Sequence, residues 1–197
     1  MPDDLTQRTV SYISMETATK EDYMLLKELH APFIAGFPDR ALKYLDVLHQ
    51  GFPGELVDRY EHSLQSATRA HRDGADEELV VAALFHDIGD QLAPENHAEF
   101  AACVLKPYVT PLTHWIIEKH GLFQGYYYFH HYGTDRNARD EFKGHPGYRP
   151  CIDFCHKYDQ TSFDPDYDTM PLEAFEPMVH RILGRTPWGD HTNAAMA

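Results

Sequence analysis

Cysteine and positive charge are both scarce in this chain: 197 residues hold three cysteines, and 17 lysines and arginines face 31 aspartates and glutamates, for a formal net charge of −14. Three thiols cannot build a disulfide framework. Cys151 and Cys155 stand four apart with no second pair, a weak pattern for a thiolate zinc site, and are read as buried free thiols. The charge excludes nucleic acid as a partner, because that binding rests on cations neutralising phosphates. A small anionic substrate stays compatible, since a few local cations and a bound metal set the field inside a pocket. No stretch approaches the ~20 apolar residues of a membrane span, so no membrane partner is expected. The start, Met1 to Leu5, has neither the basic nor the apolar segment of an export signal, and the expected location is cytoplasmic. Internal repeats, low-complexity tracts and strong β-hairpin signals are also missing, which argues against solenoids and β architectures.

What the chain does have is apolar content, 43% with 13% aromatic, enough for one core of about this length. The apolar spacing predicts helices throughout. Residues 1–19 read as a polar arm. Thr19 caps a first helix with a break at Ala31-Pro32, and a second helix covers 39–50. Gly51-Phe52-Pro53-Gly54 forces a turn. Helices follow over 55–72, stopped by Gly74, and over 76–88, capped by Asp76 and apolar on every side within 79–85. Further helices open at Asn96, Pro111, Pro150 and Pro171, with an aromatic, irregular segment over 121–147. The expected class is all-α with six to eight helices: an N-terminal helical extension over 1–50, a bundle over 51–185 and a flexible tail over 186–197.

Chemistry concentrates on His86-Asp87, which closes the apolar helix and runs into Ile88-Gly89-Asp90. A neighbouring imidazole and carboxylate can share one ion, and the second carboxylate oxygen can reach another. His62 lies on the preceding helix, an antiparallel neighbour across the short Asp73-Gly74 connection. His97, His120 and Asp159 lie downstream on helical segments. Nitrogen and oxygen donors without thiolate suit iron, manganese, zinc or magnesium, and two imidazoles with a carboxylate suit ferrous iron and oxygen.

Glu61-His62, His86-Asp87-Ile88-Gly89 and a late helix ending in Asp159 resemble the HD-domain superfamily, an all-α fold known mostly for phosphohydrolases. The added His97 and His120 resemble its branch of mixed-valent di-iron oxygenases, which includes myo-inositol oxygenase and a 2-amino-1-hydroxyethylphosphonate dioxygenase. Gly54-Glu55, His62-Ser63-Leu64-Gln65 and Phe142-x-x-His145-Pro146 belong to the same likeness, which covers about residues 51–183. It implies His62, His86 and Asp159 on one iron, His97 and His120 on the other, and Asp87 bridging an Fe(II)/Fe(III) pair, with manganese or zinc as alternatives. Asp153, earlier in the same helix, competes with Asp159; Lys157-Tyr158-Asp159-Gln160 favours the latter. The implied activity uses O2 for oxidative C–P or C–C cleavage of a small hydroxylated substrate, a hydroxyphosphonate, polyol or amino alcohol.

The chain departs from that branch around the substrate. Phe52 replaces a tyrosine that gates the open iron position, beside Glu55 as a second lid residue. Asp90 replaces a histidine, Gln124 a lysine and His156 an arginine, so anion-binding groups are lost; Lys157, Arg149 and Lys143 are candidates to compensate, and His145 is a candidate substrate-side residue. Asp90 could instead pair with a cationic group, and the aromatic run Tyr126 to Tyr132 could offer cation–π faces, although packing or a lid is its more ordinary use. Two further readings stay open. The same ligands suit a metal-dependent phosphohydrolase acting on a phosphoester or nucleotide, with Asp90 as general base, or a non-catalytic metal-binding regulator. His30, His49, His71, His114, His180 and His191 read as surface or capping residues, and His130-His131 as part of the aromatic loop.

Overall fold

The structure, a computed structural model, describes residues 8–196. Of the expected polar arm, residues 1–7 therefore lie outside the described residues. Eight α-helices and no strands occur among those described: α1 Lys20–Ala35, α2 Phe37–Tyr44, α3 Arg59–Arg72, α4 Glu77–Phe85, α5 His97–Leu105, α6 Pro111–Tyr128, α7 Tyr148–Phe154 and α8 Glu176–Leu183. None is long and apolar enough to cross a membrane.

Side-chain caps start the main helices, at Thr19 and Asp76 as expected and also at Asp58 and Thr110. Thr19 accepts from Asp22 N in a full capping box, Asp58 accepts from Glu61 N, Asp76 from Leu79 N and Thr110 from Thr113 N, each satisfying an otherwise orphaned N–H. α4 is the centre. Val80 to Phe85 are buried without a break, and the helix packs against α3, α6 and α8, as its all-round apolar sequence requires.

Several boundaries differ from expectation. Pro32 lies inside α1, near its end, and does not break it. The helix expected over 39–50 is α2 followed by a 3-10 segment Leu45–Gln50. α3 begins only after the Asp58 cap, leaving 55–58 as a loop over the site. α6 does not stop near Gly121 but continues to Tyr128. Gly125 lets it pass: a Cβ there would meet the Phe129 ring at 2.3 Å. The segment expected as a flexible tail docks on one carbonyl, with Trp188 N donating to Pro107 O at 2.9 Å and the His191 ring at 3.0 Å.

After α7 the chain tightens into a π-helical turn, Cys155–Asp159, closed by Gln160 N donating to Cys155 O at 3.0 Å. Such turns displace the following side chains around the axis and recur at functional sites. Asp159 is the last residue of this one.

Candidate metal centre

Four imidazoles and two carboxylates from separate elements meet behind α4. His62 comes from α3, His86 and Asp87 from the turn ending α4, His97 from the first residue of α5, His120 from α6 and Asp159 from the π turn. His62, His86, His120 and Asp159 are fully enclosed, with Asp87 nearly so. Gly89 makes the approach of α5 possible, because a Cβ at that position would stand 2.7 Å from His97 Cα and O.

The histidines are oriented from behind. Nδ1–H of His62 donates to Ser162 O at 2.9 Å, that of His86 to Ala83 O at 2.7 Å, that of His120 to Ile117 O at 2.7 Å and that of His97 to Pro94 O at 3.3 Å. These bonds select the tautomer whose Nε2 lone pair points inward, the arrangement found behind metal-bound histidines.

Inside, the two oxygens of Asp87 divide the cluster. Oδ2 lies 3.3 Å from Nε2 of both His62 and His86. Oδ1 lies 3.3 Å from His120 Nε2 and 3.5 Å from His97 Nε2. Asp159 Oδ1 completes the first group, 3.4 Å from His62 and 3.7 Å from His86. His62 Nε2 and His86 Nε2 are only 3.1 Å apart. Adjacent ligands about 2.1 Å from one ion are ~3.0–3.4 Å apart, so the spacings among His62, His86, Asp87 Oδ2 and Asp159 fit one ion, and His97 and His120 each stand near that spacing from Asp87 Oδ1. Asp159 Oδ2 is buried with no hydrogen-bond partner, a further sign of a donor set short of a cation. Three overlapping groups could each hold a metal: His62, His86 and Asp159; His86, Asp87 and His120; and Asp87, Asp90 and His97.

Electrostatics agrees with that fit. Burial opposes charge on His62, but Asp159 and Asp87 outweigh it and push the imidazole up to about 10. His86 is raised against the same burial, mainly by Asp87. Burial also opposes ionisation of Asp87 and Asp159, yet the facing histidines hold both carboxyls below the usual range. A cluster that binds protons this firmly is one that attracts cations.

Beside the cluster opens a cavity of about 530 Å³, a size for a small molecule, with Asp87 at its floor. Asp90, Gln124, Phe52 and Glu55, all singled out in the sequence, line it. Gln124 Nε2 donates to Asp159 Oδ1 at 2.6 Å. Burial and the charge of Asp87 raise the Asp90 carboxyl. Tyr127, Tyr128, Tyr132 and Phe163 supply aromatic wall.

Other expected residues lie elsewhere. His156 touches the wall from outside, its Nδ1 3.1 Å from Tyr127 OH. Lys157 pairs with Asp73 at 2.9 Å, Lys143 with Asp140 and Arg149 with Asp153, so none of the three lysines and arginines considered as replacements faces the cavity. His145 stacks on Trp115 with centroids 4.2 Å apart. Asp153, half-exposed beside Arg149, is not part of the cluster.

The cation that does face the cavity is Arg59, which the sequence reading missed. Its side chain is mostly buried, with Nε 3.0 Å from Asp90 Oδ2, Nη1 3.6 Å from Asp87 Oδ2 and Nη2 3.3 Å from Glu55. The Arg59 Nε and Asp90 Oδ2 atoms are close without an aligned hydrogen bond, so their attraction is Coulombic. The guanidinium also sits 4.8 Å over the Phe52 ring. Its position three residues before His62 was the available signal, since residues three apart share a helical face.

Residues 59–150 match the family profile described as HD domain, a span containing all the proposed ligands except Asp159. The chain is also similar to a [1-hydroxy-2-(trimethylamino)ethyl]phosphonate dioxygenase (glycine-betaine-forming) of Leisingera caerulea, 27% identical over 162 residues, covering 67% of this chain and 82% of the relative.

Proposed function

We propose that this protein, whose residues 59–150 match the HD-domain profile, is a di-iron oxygenase that cleaves a small hydroxylated phosphonate carrying an amino or alkylammonium group. The observation that carries the reading is the division of Asp87, one oxygen toward His62 and His86 and the other toward His97 and His120. In this assignment His62, His86 and Asp159 hold one iron, His97 and His120 the other, and Asp87 both. Bound iron would supply Lewis acidity toward a substrate hydroxyl and redox chemistry with O2.

The chain's own residues set what can enter. Arg59 is the one lysine or arginine lining the cavity and is assigned to the anionic end of the substrate. Asp90 and Glu55 face it as acids, and Phe52, Tyr128, Tyr132 and Phe163 as rings, which suits an ammonium or trimethylammonium group. Arg59 against Glu55, Asp87 and Asp90 leaves the wall negative until metal binds. Gln124 steadies Asp159 through Oδ1. The substrate in the relative's name combines these same features, a hydroxyl, a phosphonate and a trimethylamino group.

The test is aerobic turnover of iron-loaded protein on hydroxylated aminophosphonates, trimethylated and not, with polyols and amino alcohols as comparison. Two irons per chain, a mixed-valent electron-spin signal and O2 uptake matched to phosphate release are expected. Anaerobic turnover of phosphoesters with manganese would replace this reading with the hydrolase. Metal binding without turnover on any of these compounds would leave a regulator.

A further inference from the structure

Arg136 and Arg139 take no part in the function proposed above. Their guanidinium carbons lie 4.0 and 3.9 Å from the centroid of the Tyr126 ring, which places two cations less than about 8 Å apart. Arg136 Nε and Arg139 Nη1 are enclosed and have no hydrogen-bond partner. Most other arginines of this acidic chain find carboxylates, among them Arg72 with Asp168, Arg149 with Asp153, Arg181 with Glu77 and Arg185 with Glu78, while Arg40 and Arg69 lie singly over Phe33 and Tyr167 at 3.8 and 3.9 Å.

Two of the acids beside the pair, Asp135 and Asp140, are bonded to other groups. Asp135 Oδ1 accepts from Asn137 N at 2.8 Å. Asp140 is held by Lys143 Nζ at 2.7 Å and Tyr148 OH at 2.6 Å. Glu141 faces a groove shared with Glu118 and Lys119. Two like charges are thus brought onto one ring with no close ion pair to either among the described residues; Asp140, which feels the charge of Arg139, is itself bonded to Lys143. Ring stacking stabilises each guanidinium and holds it in place but does not neutralise it.

We propose that Arg136 and Arg139, held on Tyr126, form a binding site for a tetrahedral oxyanion of the phosphate class. Planar guanidinium forks match phosphate oxygens in geometry as well as charge. The site is separate from the catalytic cavity, whose lining includes neither arginine nor Tyr126. It abuts the cavity wall nonetheless, because Tyr126 packs edge-on against Tyr127 with centroids 5.5 Å apart.

The test uses metal-loaded full-length protein titrated with inorganic phosphate while the side-chain Nε–H signals of the arginines are followed by nitrogen-15 NMR, a readout independent of turnover. Saturable shifts of Arg136 and Arg139 are expected, with Arg40, whose guanidinium donates to Phe33 O, unmoved. Arg139→Gln should weaken the titration seen at Arg136 by about tenfold or more, or 1.4 kcal/mol, and Arg139→Lys should restore part of it. The proposal is overturned if the shifts do not saturate, if chloride at equal ionic strength reproduces them, or if Arg139→Gln leaves the Arg136 titration unchanged.

Discussion

His62 Nε2 and His86 Nε2 face each other across 3.1 Å while Nδ1 of each is bonded to a backbone carbonyl. Two neutral imidazoles so placed would oppose lone pairs, so a proton or a metal must lie between them. Without metal the proton takes that place, with His62 pushed up to about 10 against burial by Asp159 and Asp87. A pKa raised from 6.5 in the fold contributes stability that is complete below 6.5 and is lost as pH rises through about 10. Metal-free protein should therefore lose Tm between those values, and metal should raise Tm more at pH 9 than at pH 6.5 because displacing the proton costs less at the higher pH. Proton release on metal addition at pH 7, read by calorimetry in buffers of different ionisation enthalpy, checks the same point. A metal affinity independent of pH would contradict it.

His97 is the most open of the six proposed ligands, about a quarter exposed at its side chain, and among the other five it pairs with Asp87 Oδ1. His97→Ala should lower metal content from two ions per chain to one, with the helical circular dichroism unchanged. Elemental analysis after desalting reads the result. Two tightly held ions in the variant would remove His97 from the centre.

Much of this arrangement is legible in the sequence because its physics is local. Thr19 and Asp76 cap helices through their own side chains, and the unbroken apolar run of α4 marks the centre of the bundle. Asp159 over Asp153 rests on likeness, and the π turn that presents it cannot be read from periodicity. Gly121 and Gly125 look like a helix end but lie within α6, where close packing against α5 and Phe129 leaves little room for a side chain at the latter. The cavity wall is the least legible part. Lys157, Lys143 and Arg149 have surface acids of their own, whereas Arg59 finds its partners only when Asp87 and Asp90 fold over it.

Gln124 holds Asp159 by a 2.6 Å bond to the same oxygen that approaches His62 and His86. Such outer partners orient a ligand, and their loss typically weakens metal binding about 10–100-fold. Gln124→Ala should weaken the ion on His62, His86 and Asp159 by that factor and leave the ion on His97 and His120 close to its wild-type affinity. Competition with a coloured chelator resolves the two sites. Equal weakening at both would show that Gln124 acts on the cluster as a whole.

Arg59 and Asp90 offer the most discriminating pair of substitutions. Asp90, raised by burial and by Asp87, has Arg59 3.0 Å away as its nearest strong cation. Removing one partner of a largely enclosed pair leaves the other charge uncompensated, so Arg59→Gln should cost about 2–4 kcal/mol, somewhat below a fully buried pair because some solvent reaches the cavity. Arg59→Gln combined with Asp90→Asn should recover much of that stability in urea unfolding, with a coupling of about 1 kcal/mol or more. Activity should not follow. If Arg59 holds the anionic end of a phosphonate, the stable double variant still loses about tenfold or more in kcat/KM, mainly through KM, and an uncharged polyol loses far less. A double variant that regains both stability and phosphonate turnover would make Arg59 a structural partner of Asp90 and assign the anion to another group.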